Sequence, residues 1–132
     1  MYRGGLPRLP RWMRVGIVIL YAGALFVASV VDPPADGLSA TGPLGVVPAD
    51  KWLHALGYAT LASLLAYASL AQTRRTLLLV TVVTVGYGVG IEVVQATLPV
   101  RSFDVADVAA NAVGAVVAVL WWGRFAVVRD VD

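Results

Sequence analysis

Four long stretches of the chain carry almost no charge, and this feature most constrains how the chain can fold. Each stretch can cross a hydrocarbon core of about 30 Å as a helix that rises about 1.5 Å per residue. The sequence therefore predicts an all-α integral membrane protein, a small bundle of four transmembrane helices. The predicted spans are residues 15–31, 52–72, 77–98 and 104–123, between a basic N-terminal segment at 1–14 and a tail at 124–132.

Composition supports a membrane protein and excludes several kinds of site. Of the 132 residues, 59% are hydrophobic and 14% are charged, against about a quarter charged in soluble domains. The absence of cysteine excludes disulfides and thiolate metal sites, and the single histidine excludes a multi-histidine cage. No metal site is predicted, because the spacing of the histidine and acids matches no zinc motif, and no cofactor is predicted. A net charge of +2 from dispersed arginines predicts no nucleic-acid partner.

The first span has an alternative interpretation as a cleaved signal peptide. It follows a basic segment, has an apolar middle and has small residues around Ala28 and Ser29. Its apolar region is long for a signal peptide, which favours a retained helix. Cleavage would leave the other three spans and their polar residues intact.

The distribution of basic residues predicts the orientation in the membrane. Only Lys51 and Arg101 flank one side of the four-span arrangement. The basic residues on the other side are Arg3, Arg8, Arg11, Arg14, Arg74, Arg75, Arg124 and Arg129. Because cytoplasmic loops are enriched in Lys and Arg, we expect both termini in the cytoplasm. The expected location of the protein is the plasma membrane.

Polar residues gather at the opposite, outer level of the last three spans. They recur at steps of three and four, so each set shares one helical face. The residues are Asp50, Lys51, His54, Tyr58, Glu92, Gln95, Arg101, Asp104, Asp107 and Asn111. Glu92 and Asn111 lie about 10 Å below their helix ends, where a lone charge costs about 2.5–3.5 kcal/mol. We therefore expect an outward-facing polar pocket between the second, third and fourth spans, in which Glu92 meets His54 or Arg101.

The residue types in this pocket suggest chemical roles. His54 and Glu92 would form a proton-transfer pair, since a carboxylate tunes an imidazole whose ordinary pKa is about 6.5. Lys51 and Arg101 would bind an anionic ligand, and the remaining polar residues would position it. Whether any reaction is catalysed is left open. Two alternatives are a polar network that only fixes helix packing in a partner subunit, and a proton-coupled transporter, which the apolar inner halves of the spans disfavour.

Two further motifs in the third and fourth spans have simple explanations. Residues 84–88 read TVGYG, the sequence of potassium-channel filters, but they stand inside an unbroken apolar run and a channel is a remote alternative. Gly86 and Gly90, and the stripe of Ala110, Gly114 and Ala118, have the small-residue spacing that lets helices pack closely.

The outer polar residues also resemble a known family. The pattern Asp50-Lys51-x-x-His54-x-x-x-Tyr58, followed by Glu92-x-x-Gln95-x-x-x-Pro99-x-Arg101-x-x-Asp104-x-x-Asp107-x-x-x-Asn111-x-x-Gly114, is similar to that of VanZ-like membrane proteins. The resemblance implies a multi-pass envelope protein of a family whose founder is linked to resistance to glycopeptide antibiotics, teicoplanin in particular. It does not name a reaction. The expected partners are the lipid bilayer and an anionic lipid-linked or wall-related ligand, or another membrane protein.

Overall fold

The computed structural model describes residues 5–31, 41–99 and 101–129 of the chain, and in these ranges the fold is helical. The helices are α1 (Arg11–Val30), α2 (Ala49–Ser69), α3 (Arg74–Gln95) and α4 (Val105–Phe125). Two short strands, β1 (Leu6–Pro7) and β2 (Val128–Arg129), form a parallel pair outside the bundle.

Each predicted span overlaps one helix, but the prediction of four transmembrane helices is only partly supported. Three helices, α1, α3 and α4, are long and apolar enough to cross a membrane by length and composition. Helix α2 is 21 residues long and does not belong to this group. Asp50, Lys51 and His54 lie in its first turns, and α2 packs against each of the other three helices. Asp50, Lys51 and His54 are each partly buried within the bundle.

The closest packing in the bundle is between α2 and α4. A Cβ atom built on Gly114 would lie 2.0 Å from the carbonyl oxygen of Ala55, so only glycine fits there. The core below this contact is lined mainly by small residues and ends at Trp122. The stripe predicted in α4 is confirmed at Gly114 and Ala118, which are both buried.

The small-residue prediction for α3 is wrong in its register. Cβ atoms built on Gly86 and Gly90 would meet nothing within 4 Å, because both glycines face outward. Gly88 is the packed glycine, where a Cβ would lie 2.8 Å from Asn111 Nδ2 and 2.9 Å from the Tyr58 ring. The i, i+4 spacing was present, but periodicity alone does not say which side of an apolar helix meets its neighbours.

The channel alternative does not fit the conformation of residues 84–88. These residues lie in the middle of α3, where backbone carbonyls accept hydrogen bonds within the helix. A potassium filter instead points its carbonyl oxygens at the ions. The TVGYG sequence is therefore a coincidence in this fold.

Local signals explain where the helices begin and end. Pro10 precedes α1 and Pro48 precedes α2, and a proline with a fixed φ suits the approach to a helix. Side-chain caps begin the other two helices: Thr73 Oγ1 accepts from the Thr76 N–H at 3.2 Å, and Asp104 Oδ1 accepts from the Ala106 N–H at 2.8 Å. Leu70 ends α2 in the left-handed conformation at φ 51°.

At one end of the bundle, side chains and backbone carbonyls form hydrogen bonds that the sequence did not predict. Arg14 is 8% exposed and donates to the carbonyl oxygens of Leu9, Tyr67 and Ala68. Trp122 Nε1 donates to Ala71 O at 3.0 Å. The bonds to Tyr67, Ala68 and Ala71 occupy carbonyl groups at and beyond the end of α2, which a helix cannot satisfy internally. We call this region, with the β1–β2 pair, the closed end.

Candidate functional site

The opposite end of the bundle, where α2 and α4 begin and α3 ends, brings together the predicted polar residues. We call it the site end. The first turns of α2 supply Asp50, Lys51, His54 and Tyr58, and the last turns of α3 supply Glu92 and Gln95. The N-terminus of α4 supplies Asp104, Asp107 and Asn111, and Arg101 lies in the preceding loop. The antiparallel order of the helices explains why residues distant in sequence meet at one level.

Lys51 is the centre of an ion-pair cluster between α2 and α4. Its Nζ atom lies 2.9 Å from Asp50 Oδ2, 2.7 Å from Asp104 Oδ2 and 2.5 Å from Asp107 Oδ1. The Lys51 side chain is 17% exposed. Three carboxylates therefore occupy this ammonium, although the sequence predicts that it binds an anionic ligand.

The protonation of Asp104 reflects this cluster. Asp104 precedes α4, and its carboxylate accepts hydrogen bonds from Lys51 and from the Ala106 N–H. The bond from Lys51, helped by the one from Ala106, lowers the pKa of the Asp104 carboxyl below its ordinary value. Asp104 is therefore charged at neutral pH.

His54 is held between an amide and a carboxylate from α4. Its Nδ1 atom lies 3.0 Å from Asn111 Oδ1, and its Nε2 atom lies 3.5 Å from Asp107 Oδ2. The ring is parallel to that of Tyr58, with 6.5 Å between centroids. These contacts fix the orientation of the imidazole.

Glu92 is buried beside these groups, and one of its two carboxylate oxygens has no hydrogen-bond partner among the described residues. The residue is 1% exposed, and its Oε2 atom accepts from the Asp104 N–H at 3.1 Å. Within the described residues, Glu92 Oε1 and Asn111 Nδ2 are buried with no hydrogen-bond partner. One ligand atom each from His54, Glu92 and Asp107 lies within 4.8 Å of the others. Glu92 thus lies close to His54, although the carboxylate whose oxygen is 3.5 Å from the imidazole Nε2 belongs to Asp107.

Gln95 and Arg101 bind α1 instead of the acids. Gln95 Nε2 donates to Ser29 O at 2.7 Å, and Arg101 Nη2 donates to Val31 O at 3.0 Å. The Nε atom of Arg101 is buried and has no partner in the described part of the chain. No sequence pattern indicates these contacts, because α1 contributes backbone carbonyls rather than polar side chains.

A cleft of about 290 Å³ opens beside this end of the bundle. It lies between α1, α2 and α3 and not between α2, α3 and α4, because α2 and α4 are packed together. Apolar side chains of α1 and α2 form part of its wall, and polar groups form the rest. Its lining is Leu25, Ala28, Ser29, Asp50, Leu53, His54, Tyr58, Gln95 and Arg101.

The fold and this site define a class of protein: a small helical membrane protein with a polar cluster buried at one end of its bundle. A model of the family VanZ/LLP1 matches residues 17–126, and the chain belongs to this family. The matched range runs from α1 to just beyond α4 and so includes every polar residue of the site end. No curated protein and no solved structure matches the chain.

Proposed function

We propose that this VanZ/LLP1 family protein binds an anionic lipid-linked or wall-related molecule in the cleft between α1, α2 and α3. In this proposal Arg101 contacts the anionic group, and Leu25 and Leu53 contact the apolar part of the ligand. Gln95 and Tyr58 orient the ligand. Lys51, Asp104 and Asp107 act indirectly, because their ion pairs hold α2 against α4.

The observation that carries this proposal is that the buried Nε atom of Arg101, at the edge of the cleft, has no partner among the described residues. A buried guanidinium N–H without an acceptor is costly, and an anionic oxygen would satisfy it with a charge-assisted hydrogen bond. The bond from Arg101 Nη2 to Val31 O already orients the guanidinium. The mixed lining of the cleft also suits an amphiphile, since ligand sites combine apolar walls with a few polar groups.

The proposal includes four membrane spans, with both termini in the cytoplasm of a plasma-membrane protein. Helix α2 would cross the membrane packed against α1, α3 and α4, which partly cover its polar first turns. Among the described residues, the arginines of the closed end are Arg8, Arg11, Arg14, Arg74, Arg75, Arg124 and Arg129. Their position supports a cytoplasmic closed end and an outward site end. Arg3 lies outside the described residues, and the loop residues 32–40 do so as well.

Ligand-dependent stabilisation tests this function. Tag-free protein in detergent would be heated with and without a polyprenyl phosphate, and with the matching uncharged polyprenol as a control. Binding to the folded state raises Tm by mass action, so the phosphate should raise Tm and the alcohol should not. Arg101→Gln should abolish the shift, whereas Arg75→Gln, at the closed end, should retain it. No shift in the wild type, or an equal shift in Arg101→Gln, would contradict the proposed site.

The second candidate function is that of a non-catalytic subunit or partner protein, and the cluster around Lys51 favours it. Lys51 forms two ion pairs from α2 to α4, with Asp104 and Asp107, and such pairs can fix helix packing without any ligand. This function predicts that substitutions of His54 or Glu92 lower stability or assembly with a partner. A proton-transfer role for His54 and Glu92 stays a prediction of the first function.

We also propose that the protein contributes to glycopeptide resistance of the cell. Expression of the chain in a teicoplanin-sensitive host should raise the inhibitory concentration, and Arg101→Gln should remove the increase. Equal amounts of the two proteins in the membrane must be verified. If the wild type does not raise the inhibitory concentration, the role in resistance is wrong. The ligand-binding test is not affected by this result.

A further inference from the structure

Three potential metal ligands converge in the interior of the site end. They are His54 of α2, Glu92 of α3 and Asp107 of α4, and one ligand atom of each lies within 4.8 Å of the other two. His54 Nε2 and Asp107 Oδ2 are 3.5 Å apart. Two ligands bonded at about 2.1 Å in tetrahedral geometry are separated by about 3.4 Å, so this pair is already at the spacing of a shared ion.

The hydrogen bonds around His54 favour a free Nε2 lone pair. Asn111 Oδ1 lies 3.0 Å from Nδ1, and a carbonyl-type oxygen accepts a hydrogen bond from a protonated Nδ1. Nε2 then carries a lone pair that faces the oxygen of Asp107. Metal-binding histidines are typically held in this way, with the second ring nitrogen donating to an oxygen of the protein.

Glu92 provides an independent reason for a cation at this position. Its Oε1 atom is buried without a hydrogen-bond partner within the described part of the chain, in a residue that is 1% exposed. A buried carboxylate oxygen without a donor is strongly unfavourable. A metal ion would give this oxygen a bond that no described side chain supplies.

The net charge of the site end also favours a bound cation. Four carboxylates surround the cluster and the cleft, from Asp50, Asp104, Asp107 and Glu92. The cations that face them are Lys51, which bonds to three of the four, and Arg101 at the edge of the cleft. Among the described residues of the site end, two negative charges remain when all four acids are ionised and His54 is neutral, and a divalent cation would balance them.

We infer that His54, Glu92 and Asp107 form a binding site for a divalent transition-metal ion of the zinc type. The imidazole selects such ions over Mg²⁺ and Ca²⁺, which prefer oxygen ligands alone. Three protein ligands leave at least one coordination position open, as in zinc sites that bind water or a substrate. The inference does not depend on the ligand proposed for the cleft.

The single histidine of the chain allows a direct test in the wild type. Protein without a histidine tag, labelled with ¹⁵N-histidine, would be treated with a chelator and then titrated with Zn²⁺ or Mg²⁺. Zn²⁺ should produce a coordination shift at Nε2 at one ion per chain, while Nδ1 stays protonated. Mg²⁺ at the same concentration should produce no such shift. Absence of a Zn²⁺-dependent shift at either ring nitrogen would overturn the inference without the use of any variant.

Variants then test the two carboxylates. Glu92→Gln and Asp107→Asn should each weaken Zn²⁺ binding at least about tenfold, since each removes an anionic ligand. Asp50→Asn is the matched control, because it removes an acid of the same cluster that is not one of the three ligands, and it should retain binding within a few-fold. Equal binding in all three variants would show that the zinc is bound elsewhere. If one ligand variant does not fold, the other and the wild-type titration still decide the outcome.

Discussion

The two ends of the bundle use polar groups in opposite ways. At the closed end, Arg14 and Trp122 donate to backbone carbonyls, and these bonds close the turn between α2 and α3. At the site end, Glu92, Arg101 and Asn111 each retain a buried polar atom without a partner in the described structure. Buried polar groups are normally satisfied, so the comparison suggests that the closed end is structural and the site end is incomplete without a bound group.

The largest expected effect comes from removal of the cation at the site end. Lys51→Met leaves Asp50, Asp104 and Asp107 together without their shared ammonium. We expect a loss of about 3 kcal/mol in unfolding free energy, at the low end for a broken buried pair because Lys51 retains some exposure. Denaturant titration in detergent would measure it. A loss below about 1 kcal/mol would mean that the cluster behaves as an ordinary surface ion pair.

Breaking the closed end should also destabilise the protein, but without an effect on the site. Arg14→Met removes a charged donor from the carbonyl oxygens of Tyr67 and Ala68, with an expected cost of about 2 kcal/mol. Helix α2 separates the two ends by about 30 Å, at 1.5 Å for each of its 21 residues. Zinc and ligand affinities should therefore be unchanged. Weaker zinc binding in Arg14→Met would show that the ends are coupled.

Glu92→Gln should have a smaller effect on stability than either of these changes. The amide oxygen of the variant can still accept from the Asp104 N–H. The substitution also removes a buried charge that lacks a complete set of partners in the described structure. In chelator-treated protein we expect a change within about 1 kcal/mol, measured by the same denaturant titration. A loss as large as that of Lys51→Met would instead favour a purely structural network.

The smallest expected effect concerns pH and Asp104. Because the pKa of Asp104 is lowered in the folded protein, its contribution is complete above the unfolded pKa of about 3.9 and is lost as pH falls through the lower folded value. Its side chain is 42% exposed, so Asp104→Asn should cost less than about 1 kcal/mol at pH 7. The difference between wild type and variant should disappear at acidic pH. A difference that persists there would show that the charge of Asp104 is not the important contribution.

The sequence predicted the helices and the polar level of the site better than it predicted contacts. Uncharged runs and i, i+3 and i+4 spacing depend only on local geometry, so they located α1 to α4 and the faces of Lys51 and His54. The partners of Arg14, Gln95 and Arg101 are backbone carbonyls, which every residue carries and no pattern reveals. The wall that α1 gives to the cleft depends in turn on these bonds and on the close contact at Gly114, which keeps α2 against α4.

The polar residues of α2 also show that sequence patterns do not reveal tertiary contacts. A count of charged residues predicts a fourth span, whereas α2 is not among the described helices that are long and apolar enough to cross a membrane. Its charges are compensated by partners on α4 that lie more than 50 positions further along the chain. Only the tertiary structure supplies this compensation.

Zinc-dependent stabilisation of three chelator-treated proteins, wild type, Arg14→Met and Glu92→Gln, tests the central claim most directly. If the site end is incomplete without a bound cation and the closed end is independent of it, Zn²⁺ should raise Tm equally in wild type and Arg14→Met. It should not raise Tm in Glu92→Gln. An unchanged Tm in the wild type, or the same increase in all three proteins, would contradict the claim.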